Sequence, residues 1–137
     1  MNIETDSAVD NGCGIACAVL REISLLRKLH HRNIVSLVEV CFGRTHIHIM
    51  LEYYPSTLHE VIGGALASGA TTFGPRTLYN YSRQLFAAIE HCHENRCFHR
   101  DIKPSNILID STMTRIVLTD FGMARYLITK LHAELDF

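Results

Sequence analysis

Apolar residues at 19, 20, 23, 25, 26 and 29 of VLREISLLRKLH recur at helical spacing, with charges on the opposite face. That pattern predicts a helix of about three turns over Val19–His30. The period then changes. Ile34–Phe42 and Thr45–Glu52 are β-branched, partly alternating runs separated by Gly43 and Arg44, which predicts an antiparallel hairpin. Pro55 breaks the second run, and Ser56 or Thr57 is placed to cap a short helix ending near Ile62. Gly63, Gly64, Gly69 and Gly74 then mark a loose loop closed by Pro75. From Arg76 to about Asn95 the helical period returns, with Leu78, Tyr81, Leu85, Ala88, Ile89 and Cys92 on one face as core positions. Two short apolar runs, Ile107–Ile109 and Ile116–Leu118, complete the pattern as a strand pair.

Composition narrows the class. The chain has 137 residues, 47% of them hydrophobic and 20% charged, which suits one packed domain rather than a disordered segment. A formal net charge of −1 and the lack of any basic block argue against a general nucleic-acid or membrane-surface binder. No run of 18 apolar residues and no signal-peptide pattern occurs, so an intracellular protein, cytoplasmic or nuclear, is expected. In that setting the five cysteines read as reduced thiols. His91, Cys92, His93, Cys97 and His99 crowd together, but the spacing lacks the second ligand pair of a zinc site. Gly12 and Gly14 form a GxG pair without a third glycine and with a helix close behind, which reads as a loop rather than a phosphate cradle.

The chemistry is concentrated in FHRDIKPSNILID, Phe98 to Asp110, and TDFGMAR, Thr119 to Arg125. His99, Arg100 and Asp101 precede Asn106 at the spacing HRDxxxxN, Lys103 stands two residues after the aspartate, and Asp120, Phe121 and Gly122 follow. Either motif alone is weak. Together, 19 residues apart from Asp101 to Asp120 with the strand pair between them, they are specific. The pair resembles the catalytic loop and metal-binding triplet of protein kinases.

That resemblance implies an α+β, two-lobe protein kinase-like fold and transfer of the ATP γ-phosphate to a protein serine or threonine hydroxyl. In such enzymes the site orients a hydroxyl, holds Mg2+ and neutralises charge on the moving phosphoryl group. By resemblance Asp101 orients the hydroxyl, Lys103 sits over the γ-phosphate, and Asn106 and Asp120 are Mg2+ ligands of the oxygen type that ion prefers. Lysine at 103 points to serine/threonine rather than tyrosine kinases.

The resemblance sharpens upstream, where ACAVLREISLLRKLHHRNIVSL is similar to the αC helix and following strand of cyclin-dependent kinases. It implies Glu22 as the αC glutamate, Ala16–Glu22 as the place of a cyclin-binding helix, Leu51 as gatekeeper, and Glu52, Tyr53 and Tyr54 as the adenine-binding hinge over Leu108. Leu26, Leu37, His99 and Phe121 fall where kinases stack a hydrophobic spine, and Arg21, Arg100 and Arg125 where they gather around a phosphothreonine. The chain has three lysines, Lys28, Lys103 and Lys130, and none precedes Glu22. The glycine-rich loop and the strand lysine are therefore expected to be absent, as are the distal helices beyond the tail YLITKLHAELDF. The expected division is a leader at 1–18, a partial small lobe and hinge at 19–54, a partial large lobe at 55–127 and a divergent tail at 128–137. A non-catalytic fragment that binds a cyclin, or a truncated product, is the alternative.

Overall fold

The computed structural model describes residues 17–43, 46–70 and 73–127. Gly12, Gly14, Ala16, Thr45 and the 128–137 tail lie outside the described residues.

Helix α1, Cys17–Lys28, follows the predicted stripe: Val19, Ile23, Leu25, Leu26 and Leu29 are buried, and Arg27 and Lys28 occupy the last turn, where cations complement the helix dipole. Strands β1, Leu37–Phe42, and β2, Ile47–Leu51, pair antiparallel from Leu37 opposite Leu51 to Phe42 opposite Ile47, with an irregularity between Leu37 and Glu39. The Gly43 amide donates to the His46 carbonyl at 2.8 Å, and a Cβ on Gly43 would meet that same oxygen at 3.0 Å. No residue of either strand is fully buried, so this hairpin is a half-covered sheet.

The segment between α1 and β1 joins it to the rest. Ile34 bridges Leu118 in parallel, the Val35 amide donates to the Leu118 carbonyl at 2.9 Å, and the Leu118 amide to the Asn33 carbonyl at 2.9 Å. Leu118 ends a three-stranded sheet in which β5, Ile107–Ile109, lies between β3, Ser56–Thr57, and β6, Ile116–Leu118, all antiparallel. The predicted strand pair 107–109 and 116–118 is thus present at the same residues, and β6 is buried throughout because α3 and the 33–35 segment both cover it.

Thr57 caps α2, Leu58–Ser68, through a reciprocal box: its hydroxyl accepts from the Glu60 amide at 3.1 Å while the Glu60 carboxylate accepts from the Thr57 amide at 2.7 Å. This helix runs six residues past the expected end at Ile62. Gly63 and Gly64 are inside it rather than in a loop, because the capping box and the tertiary contacts to β5 and the catalytic loop outweigh their weak helix propensity. Gly69 ends it in the left-handed region at φ 66°, with the Gly69 amide on Leu66 and the Ala70 amide on Ala65, a paired closure that suits glycine.

Helix α3, Pro75–Glu94, starts with proline in its first turn. Tyr81, Ala88 and Cys92 are buried, Leu85 and Ile89 partly so, but Leu78 is half exposed and not a core position. The buried part of the stripe packs on β6. One continuous core joins α1, α3, β5 and β6, and includes Tyr54, Cys97, Phe121 and Ala124. Strand β4, Cys97–Phe98, pairs with β7, Arg125–Tyr126, across the entrance to the catalytic loop.

Candidate active site

The loop after β4 is set by His99. Its ring is buried, Nε2 lies 2.9 Å from the Thr119 carbonyl, and Nδ1 accepts from the Asp101 amide at 3.3 Å. One donor and one acceptor describe the neutral imidazole. Burial holds its pKa below the ordinary histidine value, and the ring meets Phe121 edge-on at 4.8 Å. His99 is thus a packing and aligning residue.

Asp101 follows at the surface. Lys103 Nζ donates to Asp101 Oδ2 at 2.7 Å, and Asn106 Nδ2 donates to the same oxygen at 3.0 Å and to the Asp101 carbonyl at 2.9 Å. The hydrogen bond from Lys103 lowers the Asp101 pKa, and its counterpart raises that of Lys103, so both are charged at neutral pH. Oδ1 of Asp101 has no donor among the described residues. A single turn of 3-10 helix, Pro104–Asn106, carries the chain from Lys103 to β5, and the nearly buried Asn106 accepts from the Thr119 amide through its carbonyl at 3.0 Å. That bond ties Asn106 to the residue before Asp120. Because the Asn106 amide nitrogen is spent on Asp101, its side-chain oxygen is left to accept.

Asp120 is exposed at φ 64°, and its Oδ1 accepts from the Gly122 amide at 3.3 Å. Arg100 also has positive φ, 69°, and its Nε donates to the Met123 carbonyl at 2.8 Å. Two non-glycine residues in this region, each flanking the catalytic loop or the triplet, are strained conformations held by the surrounding bonds. The side-chain oxygens of Asn106 and Asp120 are hard donors of the kind that could hold Mg2+.

The other predicted residues divide. Glu22 is half-buried on α1, and its pKa is raised by burial first and by the nearby Asp120 carboxylate second, with no ion pair to it among the described residues. Lys28 lies instead over the Tyr126 ring at 5.4 Å. Leu51, at the end of the hairpin, and Leu108, in the middle of β5, are partly buried against the core. The Glu52 amide is committed to the Ser36 carbonyl at 3.0 Å, whereas the peptide groups of Tyr53 and Tyr54 make no backbone hydrogen bond among the described residues. Their side chains diverge: the Tyr53 ring is exposed, and that of Tyr54 is buried under Arg115, 5.7 Å from the guanidinium. Burial first, then Glu52 and Asp110 against Arg115, pushes the Tyr54 phenol up to about 12.

Arg21, Arg100 and Arg125 do converge. The Arg125 guanidinium is held below its usual value by Arg21 first, then burial, then Arg100. The histidines and cysteines near 91–99 do not: His91 stacks on His31 at 5.2 Å, His93 lies against Phe98 at 4.9 Å, and Cys92 and Cys97 are buried. Among the described residues no group of three or more His, Cys, Asp or Glu is placed to hold a metal. A cavity of about 370 Å³ opens elsewhere, against Leu26, His31, Arg32, Leu37 and Arg115, and includes none of the catalytic-loop residues.

Three residues that sequence reading passed over fasten the 32–33 segment to α3 and β6. The buried Asn33 amide donates to Gln84 Oε1 at 2.8 Å and to the Ile116 carbonyl at 2.7 Å, while Gln84 Oε1 also accepts from the Ile116 amide at 3.0 Å. Arg115 Nε caps the Arg32 carbonyl at 2.8 Å. An asparagine in a polar HHRN turn carries no periodic signal, so nothing local distinguished it from a solvated loop residue.

The comparisons with known proteins agree with this geometry. The family model for the protein kinase domain matches residues 3–135, wider than the 16–125 stretch to which the sequence motifs confine the likeness. The chain belongs to the protein kinase family. Cell division control protein 2 homolog 1 of Trypanosoma brucei brucei is 36% identical over 115 residues, covering 82% of this chain and 36% of that relative. This kinase chain spans about a third of that relative's length. No helix among the described residues is long and apolar enough to cross a membrane.

Proposed function

We propose that this kinase chain contributes the catalytic loop and metal triplet of a serine/threonine protein kinase that moves the γ-phosphate of ATP to a protein hydroxyl. The observation that carries this reading is the bonded set Asp101, Lys103 and Asn106, tied through Thr119 to Asp120. Asp101, kept ionised by Lys103, accepts the hydrogen bond of the incoming hydroxyl and orients it. Lys103 balances charge on the transferred group. Asn106 and Asp120 hold Mg2+, which neutralises the phosphates when bound. The free peptide groups at Tyr53 and Tyr54 are suited to adenine, above Leu108 and behind Leu51. Glu22, near Asp120 and lacking a cation, is suited to a strand lysine.

The relative's name refers to cell division, and the half-exposed Leu20 on α1 supports a cyclin as a partner at Ala16–Glu22. The converging Arg21, Arg100 and Arg125 suit a phosphothreonine dianion. An intracellular site, cytoplasmic or nuclear, follows from such partners. A cyclin-binding role without catalysis is the second reading, favoured by that same Leu20 face.

The test is Mg2+-dependent ATP binding and phosphoryl transfer by the chain and its Asp101→Asn variant. Transfer is expected to fall by at least ~100-fold in the variant while nucleotide binding is retained, because a hydroxyl-orienting group is lost and a metal ligand is not. Lost binding in that variant contradicts the role given to Asp101. Absence of Mg2+-dependent binding by the unmodified chain, with cyclin capture retained, favours the second reading.

A further inference from the structure

The cavity between the end of α1 and the start of β6 lies apart from the catalytic loop, and phosphoryl transfer does not use it. Its volume of about 370 Å³ is toward the small end of ligand pockets. Leu26 on α1, Leu29 just after it and Leu37 at the start of β1 give it an apolar wall. Arg27, Arg32 and Arg115 give it guanidinium groups, and no Asp or Glu lines it among the described residues. We propose that this cavity binds a small amphipathic anion, a carboxylate or phosphate head on an apolar body, with the head held by Arg27, Arg32 and Arg115 and the body against the three leucines.

The cations are gathered there without a counter-charge. The formal net charge of the chain is −1, so three arginines around one cavity do not reflect a basic surface in general. Arg27 and Arg32 are exposed, and neither side chain makes a hydrogen bond or ion pair among the described residues. Arg115 is fixed in advance: its Nε donates to the Arg32 carbonyl at 2.8 Å, and its guanidinium stands 5.7 Å from the centre of the Tyr54 ring. The Glu52 carboxylate is 3.9 Å from Nη2, beyond hydrogen-bond reach, so both terminal nitrogens keep protons to donate. A planar fork anchored at Nε suits the paired oxygens of a carboxylate or phosphate.

His31 adds a donor of another kind. Its Nδ1 accepts from the Asn33 amide at 3.1 Å, and its ring stacks on His91 at 5.2 Å. Burial first, then His91 and Arg32, lowers its pKa, so at pH 7 the ring is neutral and its proton is on Nε2. That N–H has no acceptor among the described residues. A half-buried donor without a partner, on the wall of a cavity lined by arginines, is satisfied by an anionic head. The leucines argue against a bare inorganic ion, which would leave the apolar wall uncovered.

Octanoate is titrated into the full chain, labelled at its leucine methyl groups and followed by NMR, with octanol and inorganic phosphate as controls. Octanoate is expected to bind with a Kd below ~1 mM. The signals of Leu26, Leu29 and Leu37 are expected to shift, and those of the exposed Leu66 and Leu78 to stay in place. Octyl phosphate is expected to shift the same signals, and the tighter of the two ligands names the head group. Arg27→Gln with Arg32→Gln, at exposed side chains bonded to nothing else, is expected to weaken octanoate at least ~10-fold. Arg76→Gln, on the exposed side of α3, is expected to leave binding unchanged. The proposal is overturned if neither amphiphile shifts the three leucine signals, or if the double variant binds octanoate as the unmodified chain does. It is equally overturned if octanol or inorganic phosphate binds as tightly as octanoate.

Discussion

Asn33 and His99 show what single buried polar side chains do in this kinase: Asn33 fastens the segment before β1 to α3 and β6, and His99 aligns the catalytic loop. Asn33 satisfies a strand carbonyl and a glutamine at once, so Asn33→Ala removes the side-chain donor to the buried Ile116 carbonyl and leaves Gln84 Oε1 with the Ile116 amide alone. A loss of about 2 kcal/mol is expected in urea unfolding, and an unchanged midpoint would show that water replaces the amide. His99 must remain neutral to donate to Thr119 and accept from Asp101. Burial lowers the pKa of both His99 and His31, the latter with help from His91 and Arg32. Their contribution is present above the ordinary histidine value and is lost as pH falls through their lowered values, because the unfolded chain takes up protons first. Glu22, with its raised pKa, works in the opposite direction, adding stability as pH falls through that value. The ordinary histidine value lies inside the interval from about pH 7.5 to about pH 5.5 and the ordinary carboxylate value below it, so the urea midpoint is expected to be lower at the acid end. His31→Asn is expected to reduce that difference, and a midpoint that rises on acidification would contradict it.

At the scale of elements, α2 is the instructive case. Its interior glycines, Gly63 and Gly64, have open space around the position of a Cβ, while Gly69 sits at φ 66° at the helix end. The same substitution therefore has opposite signs. Gly63→Ala is expected to stabilise by about 0.5–1 kcal/mol, through helix propensity alone. Gly69→Ala is expected to destabilise by about 1 kcal/mol, through left-handed strain. Thermal unfolding of the two variants decides this, and two shifts of equal sign would mean the helix ends elsewhere. The sequence pattern could not separate these glycines because composition marks both as breakers. The backbone angle, which depends on where the Thr57 cap starts the helix, distinguishes them.

On the scale of the whole molecule, one core serves both halves while a face of α3 has no cover among the described residues. Tyr79 and Phe86, 67% and 69% exposed and seven residues apart, lie on one side of that helix. Large exposed aromatics in a row favour self-association. Tyr79→Glu with Phe86→Glu is expected to lower dye binding and light scattering while changing stability by about 0.5 kcal/mol or less, as surface substitutions do. A large fall in the unfolding midpoint would show that these rings are packed in solution. By itself the sequence determined the helices and strands with strong periods, placed at 19–30, at 76–95 and in the 107–109 and 116–118 pair, and the positions of Asp101, Lys103, Asn106 and Asp120. Those are local signals: hydrophobic spacing for the elements, and fixed intervals between chemistry-bearing residues for the site. The tertiary structure alone decided that Leu78 faces out, that the Tyr54 ring enters the core under Arg115, and that Asn33 and Gln84 join at a distance. Each of these depends on which surfaces meet after the chain has closed, and no window of sequence contains both partners of such a contact together with the neighbours that orient them.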